Sequence, residues 1–414
     1  MTSTNAMKLA WIIVALLWPV ALLNYLDRQM ISAMKTSLMA DIPSIETDAN
    51  WGYMLGQFKW VYAILSPLGG YIADRYSRKF TICASLFAWS TITWLTGRVD
   101  SYEELLWART FMGISEAFYI PAALALIADY HSTLTRSRAV GFHQIAIYCG
   151  VILGGFSGYI ADAPNLTWRF AFDITGMIGI AYALPLMFFL KDASSGTVNQ
   201  NMQEKLSIIK AGLALITNFS FILLVLYFTL PALAGWVVRD WMPSILQKAF
   251  NMSQGVAGVS ATLYWQLAAI FSALIGGVLA DRWMVKNPRG RIYVSAIGMA
   301  MIIPALFGVG NSAGYNSYGL AVASLILFGL GWGFFDCNNM PILSQIVKPN
   351  LRATGYGVMN LVSISSGGFA DWGFGILQDK KVPLNLIFSL FASLAFFSVL
   401  LVLLIKPKDD KEHL

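Results

Sequence analysis

The chain has 414 residues, 57% of them hydrophobic and 12% charged, and carries a formal net charge of +6. Its apolar residues run in blocks of twenty or more, which excludes a soluble globular core and a disordered chain and marks a polytopic membrane protein. The basic excess does not describe a nucleic-acid groove, because the cations follow the ends of the apolar blocks.

Twelve helices are predicted in chain order, at 9–34, 51–73, 80–97, 104–129, 138–161, 168–190, 211–238, 256–280, 291–310, 317–346, 353–377 and 384–405. The first block is too long for a signal-peptide core and lacks a small-residue cleavage site, so it reads as a retained span. With the amino terminus inside, eighteen Lys and Arg fall in cytoplasmic segments and seven outside. That asymmetry sets both termini in the cytoplasm. Short loops and tails point to a prokaryotic inner membrane. Cys83, Cys149 and Cys337 fall within helices without paired spacing, so neither a disulfide framework nor a metal site is expected.

Helix one carries Asn24-Tyr25-Leu26-Asp27-Arg28, two ionisable groups where burial among lipid and helices is costly, and such residues are functional by default. Asp27 and Arg28 project about 100° apart and can address different partners. Helix two sets Lys59 about 16 Å above its cytoplasmic end, close to mid-bilayer. Helix four holds Arg109 and Glu116 seven residues apart, on one face at roughly 10 Å. These five groups count three positive and two negative charges. Protonating both acids would leave three cations without counter-charge, and a bound anion would supply it. The chemistry expected is proton-coupled symport of a small anionic solute, with protonation of Glu116 releasing an arginine. Sodium is the alternative coupling ion, and no other cofactor is called for. The competing reading is a set of buried ion pairs locking helices together; for Lys59 it includes snorkelling to the interface.

Gly70-Tyr71-Ile72-Ala73-Asp74-Arg75-Tyr76-Ser77-Arg78-Lys79 closes helix two, and Gly277-Val278-Leu279-Ala280-Asp281-Arg282 closes helix eight, with Gly290-Arg291 completing the phrase after an insertion. The repetition implies an internal duplication: a six-helix half over 1–190, a polar cytoplasmic linker over 191–210 and a second half over 211–414. This phrase resembles the signature of the major facilitator superfamily, and the resemblance covers essentially the whole chain. It implies an all-α fold of two pseudo-symmetric halves working by alternating access, with one chain, a monomer, holding a whole site. Gly70, Asp74, Arg75, Arg78, Arg138, Gly277, Asp281 and Arg282 would form a cytoplasmic gate, the glycines admitting close helix approach and the aspartates capping helix ends and pairing with arginine. Ser77 stands where the family phrase has glycine, which weakens the φ freedom expected of the turn.

Asn24-Tyr25-Leu26-Asp27-Arg28, Arg109-x6-Glu116-Ala117, and Tyr62 before Pro67-Leu68-Gly69-Gly70 together resemble the anion:cation symporter branch, carriers of sugar acids and other organic anions with protons. The resemblance implies proton handling by Asp27 and Glu116, substrate carboxylate binding by Arg28 and Arg109, and a site lined by Tyr25 and Tyr62. Lys59 lies outside that motif and would add a contact of its own. A sister resemblance, on the Gly70 to Lys79 phrase and on Ile127-Ala128-Asp129 followed by Arg136-Ser137-Arg138, is to spinster-type lipid transporters.

In the second half, Asp336, Asn338 and Asn339 lie about 18 Å of helix from Lys348, again near the midplane. Asn360 on helix eleven and His143 and Gln144 on helix five add polar groups. A carboxamide wall opposite a cationic wall suits a polyhydroxylated acid of the sialic acid or hexuronate kind. A lysolipid or sphingoid-type phosphate, the alternative, would want that half greasier; a non-transporting solute sensor is a further alternative. Asn338 and Asn339 can equally hold broken helix backbone near Pro341. His143 reads as interfacial, Asp173 as an outer-surface group, and Asp371 as lying in the outer half of helix eleven. Gly150, Gly154 and Gly158 form a small-residue packing stripe. No nucleotide loop, metal cluster or nucleophile with a base is present, so an enzyme is not expected.

Overall fold

In the computed structural model, residues 3–131, 133–192, 208–348 and 351–407 are described, and among them every regular element is helical. The chain divides into two units, one of Met1–Gln200 with Asp240–Thr262, the other of Asn201–Arg239 with Leu263–Leu414. The first unit is built from α1 (Ser3–Ala33), α2 (Lys35–Asp41), α3 (Asp48–Arg75), α4 (Arg78–Thr96), α5 (Tyr102–Glu116), α6 (Tyr119–Tyr130), α7 (Thr133–Gly155), α8 (Ser157–Asp162) and α9 (Trp168–Phe189). The rest of the chain forms α10 (Ile208–Ile216), α11 (Phe219–Phe250), α12 (Gln254–Met284), α13 (Gly290–Ser312), α14 (Tyr318–Asp336), α15 (Asn339–Ile346), α16 (Arg352–Asp379) and α17 (Leu384–Leu404). The end of α11 and the start of α12 belong to the first unit.

Nine helical segments among the described residues are long and apolar enough to cross a membrane. α4 falls short because its core-facing stripe is hydroxylated, with Thr81, Ser85, Ser90, Thr93 and Thr96 all buried. α1 presents Ile13, Val14, Leu17, Val20 and Ala21 at three- and four-residue steps to a core shared with Ile82, Leu86 and Trp89 of α4 and Ala122, Ala123 and Leu126 of α6. α1 runs along α7, where a side chain on Gly150 would strike the Leu22 carbonyl and one on Gly154 would strike Gln29 and the Leu26 carbonyl. The stripe on helix five is thus helix packing, as its spacing suggested.

Helix four, expected as one continuous span, and helix ten, where Pro341 left a break open, are both broken, and for the same reason. Pro121 and Pro341 sit at the third position of α6 and α15. Neither can donate to the carbonyl four residues back, and each ring crowds that carbonyl, so α5 stops at Glu116 and α14 at Asp336. An acid therefore ends the first segment in both units. The parallel extends further: Ser101 and Ser317 cap α5 and α14 by accepting from Glu104 and Leu320 N–H, each at 3.2 Å. Arg136 donates to the carbonyls of His131 and Ala128, and Arg352 to those of Val347 and Ser344, five and eight residues back in both cases. Helix five is interrupted too, at Phe156 between α7 and α8.

The helix predicted to end at 238 continues as α11 to Phe250. Ser77 loses nothing by not being glycine: its φ is −56° and its hydroxyl caps α4 by accepting from Phe80 N–H at 3.0 Å. The side chains of Gly70, Asp74 and Arg75, expected in the gate, lie outside the described residues. Arg78 forms an ion pair with Asp129 and donates to the Ala125 carbonyl, joining α4 to α6. Arg138 and Arg282 are exposed, and Asp281 pairs with Arg291 at 3.3 Å. Gly277 has open space around it, whereas its neighbour Gly276 is the one held against Phe334.

Candidate functional site

The first unit gathers the intramembrane charges around one aromatic side chain. Gly113, midway between Arg109 and Glu116 on α5, lets the α3 backbone approach; a side chain there would meet the Phe58 carbonyl and Val61. That approach brings Phe58 to two guanidinium groups, Arg28 with its carbon 4.9 Å and Arg109 with its carbon 4.4 Å from the ring centroid. Phe58 stacks on Tyr62 at 5.9 Å, and Arg28 also lies 4.7 Å from the Tyr25 and 4.6 Å from the Tyr62 ring centroids.

The two arginines are not equivalent. Arg28 Nε donates to Glu116 Oε2 at 2.6 Å, in a pair whose side chains are 10% and 0% exposed. Arg109 is 3% exposed, reaches the Met112 sulfur at 3.1 Å, and has its Nε buried without a hydrogen-bond partner. Among the described residues, no carboxylate comes within ion-pairing distance of Arg109. A buried guanidinium without a contact counter-ion keeps donors and charge that no touching carboxylate satisfies.

Asp27 turns away from Arg28, as the 100° step requires, and is buried against α4, where its Oδ2 accepts from Thr93 at 2.9 Å and its Oδ1 has no hydrogen-bond partner. A buried carboxyl supported by one hydroxyl is costly to keep charged, and its neutral form needs no counter-charge.

Lys59, assigned on sequence to a solute contact, is instead ion-paired with Asp240 of α11 at 2.5 Å. Asp240 is the partner of Lys59 that sequence reasoning missed. It also changes the charge count: with it, the buried set holds three cations and three carboxylates, not three and two. Phe58 was missed as well. His143, expected at the interface, is 1% exposed and hydrogen-bonds Tyr119 at 2.9 Å. Gln144 is half-buried. Asp173 pairs with Arg98 at the surface, as expected of it, and Asp371 is buried.

In the second unit, Asn338 donates its amide to the Phe334 carbonyl at 3.0 Å and so supports the broken backbone between α14 and α15. Asn339 is buried beside the Asp336 carboxyl, which itself is exposed at the end of α14, and Asn360 is half-buried. The dominant feature here is aromatic: Tyr227, Phe228, Trp265, Phe328, Trp332 and Phe335 form one chain of ring contacts with centroids 5.2 to 6.4 Å apart. The expected carboxamide wall thus yields Asn338 to the backbone, and most of the aromatic chain is core, with Tyr227, Trp265, Phe328 and Phe335 buried and only Phe228 and Trp332 half-buried.

A family model described as Major Facilitator Superfamily matches residues 17–370. The chain is 26% identical to spinster homolog 1 of Xenopus tropicalis over 89% of this chain and 73% of that protein. It is also 26% identical to an MFS-type efflux pump of Mycolicibacterium smegmatis, over 90% of this chain and 85% of that one. Its fold is similar to the crystal structure of a bacterial homolog of the human lysosomal transporter spinster in an inward-facing, unoccupied conformation, with a TM-score of 0.77, 20% identity, and 96% and 95% of the two chains covered.

Proposed function

Because this chain belongs to the major facilitator superfamily, a family of transporters that work by alternating access, we propose that it carries an amphiphilic organic anion together with protons. The observation that carries the proposal is Arg109: Glu116 already neutralises Arg28, while Arg109 is buried with no carboxylate in contact. The anionic head of the solute binds Arg109. Protonation of Glu116 then frees Arg28 to bind the same head, and the Phe58 ring, in contact with both arginines, positions them. Asp27 is the second proton acceptor, seated on Thr93.

An amphiphile of the lysolipid or sphingoid-phosphate type fits better than a sugar acid on two counts. Asn338 is engaged with backbone rather than available to hydroxyls, and the second unit has two half-buried aromatic rings, Phe228 and Trp332, set on a buried aromatic core. Similarity to spinster homologues matches the spinster-type resemblance of the Gly70 to Lys79 phrase and names no substrate. The sugar-acid reading keeps the support of the amino-terminal motif, which both readings share.

The test is uptake into proteoliposomes of a fluorescent lysophosphatidylglycerol and, separately, of radiolabelled sialic acid and glucuronate, with and without an inward proton gradient. Gradient-dependent uptake of the lysolipid alone supports the reading. Uptake confined to the sugar acids returns the substrate to the first class, and uptake of none by folded protein removes both.

A further inference from the structure

Asp240 poses a problem that the transport reading leaves open. It is 7% exposed and in contact with Lys59, which is 4% exposed and one residue from Phe58, the ring on which Arg109 rests. The Asp240 carboxylate also acts electrostatically on Arg109. It thus supplies Lys59 with the contact carboxylate, and acts on Arg109 from a distance after Glu116. Asp240 also begins the segment, through Thr262, that belongs to the first unit.

The other links between that segment and the amino-terminal helices are of a different kind. Gln254 bonds the Ser37 hydroxyl at 2.6 Å and Asp162 at 3.1 Å; Gly255 N–H donates to Asp162 at 2.8 Å; Thr36 bonds Gln247 at 2.7 Å. Gly155 and Gly258 bring α7 and α12 together, and Trp241 lies under the Lys35 ammonium at 4.2 Å. Lys248 reaches Asp48 from an exposed position. Apart from the buried Lys35 and Trp241 contact, in which no carboxylate takes part, these are hydrogen bonds, glycine packing and one exposed lysine. The Lys59 and Asp240 pair is buried, so separating it strands a charge unless another ion takes the vacated place.

We propose that Asp240 is the resident counter-anion of the cationic site: it holds Lys59 in the empty protein, and an incoming anion displaces it, releasing the 240–262 segment from the amino-terminal helices. The exchange conserves charge, one carboxylate leaving Lys59 as one anionic head arrives. It makes Asp240 a positioning residue that ties solute binding to the movement of α11 and α12. The displacement step rests on the reading of Arg109 and its neighbours as an anion site; the latch does not.

The experiment uses the full chain with its three cysteines replaced and spin labels at Asn165 and Ser253, exposed positions on the α8–α9 loop and before α12. Distances are measured without ligand and with dodecyl phosphate as the probe. In the parent, a short distance should lengthen when dodecyl phosphate is added. Asp240→Asn and Lys59→Gln should show the long distance without it, and the charge exchange Lys59→Asp with Asp240→Lys should restore the short one. Asp240→Asn should also bind dodecyl phosphate about tenfold or more tightly, since no resident carboxylate competes; a merely structural pair would leave affinity unchanged or lower it. A short distance in both single variants overturns the latch. Long distances in the variants, with a parent that does not respond to dodecyl phosphate, overturn the displacement through the anion reading and leave the latch standing.

Discussion

Replacing each central arginine by methionine separates a structural charge from a functional one. Arg28→Met strands Glu116, which is fully buried and loses the one ion-pair contact it has among the described residues, the 2.6 Å bond from Arg28 Nε. Removing one partner of a buried pair costs about 3–5 kcal/mol. At about 2–4 °C per kcal/mol, melting in detergent should fall by roughly 6–20 °C, less where the carboxyl takes up a proton. Arg109→Met strands no carboxylate in contact. It forfeits the stacking on Phe58, worth about 2 kcal/mol in a desolvated place, and relieves a desolvation penalty of several kcal/mol. Methionine fills the volume with an unbranched, adaptable chain. The Arg109→Met protein should therefore melt at or above the parent temperature while losing solute binding, and the Arg28→Met protein should melt well below it. The assay is a paired thermal-unfolding series with binding measured on the same samples. Equal, large losses of stability in both variants would make Arg109 a structural ion and refute its assignment as the anion site.

Glu116→Gln should keep solute exchange across the membrane and lose accumulation against a gradient, read by comparing counterflow with gradient-driven uptake. Phe58→Ala should weaken anion binding about tenfold, because both guanidinium groups lose their shared face, each contact being worth about 0.5–2 kcal/mol. Gly113→Leu should abolish transport and lower stability, since its side chain would meet the Phe58 carbonyl of α3; equal activity to the parent would show that α3 and α5 need not approach so closely. At the loop end of α3, burial pushes the Asp48 carboxyl up, but Lys35 and Lys248 outweigh it and leave it below the ordinary aspartate value. Its folded-state pKa is depressed, so its contribution is present above the unfolded value near 4 and is lost as pH falls through the folded one. Acid unfolding curves of the parent and Asp48→Asn should converge there.

Long helices were legible because hydropathy reports burial in lipid directly, and the charged motif was legible because charges are rare in such helices. The breaks in helices four and ten were half legible: Pro341 signalled one, and Pro121, at the same position relative to its acid, signals the other. Asp240 was hidden by a helix boundary. Arg239 and Asp240 look like the polar end of a span, yet Val237, Val238, Trp241, Met242, Ile245 and Leu246 continue the buried stripe at helical spacing past them. That continuation was the available signal. Phe58 carried none, since an aromatic residue in an apolar run is ordinary until its neighbours in space are known. Partner choice was equally out of reach: the sequence placed Arg28 and Arg109 as two substrate arginines, and only the folded arrangement shows that one is neutralised and the other is not.

The central claim is that an anion and a proton move together through Arg109 and Glu116. The most direct measurement is internal pH in proteoliposomes, followed with a trapped dye while lysophosphatidylglycerol is added outside at matched pH. Solute entry accompanied by acidification in the parent, solute entry without acidification in Glu116→Gln, and neither signal in Arg109→Met is the predicted result. Acidification that persists in Glu116→Gln, or solute entry that persists in Arg109→Met, would contradict the account.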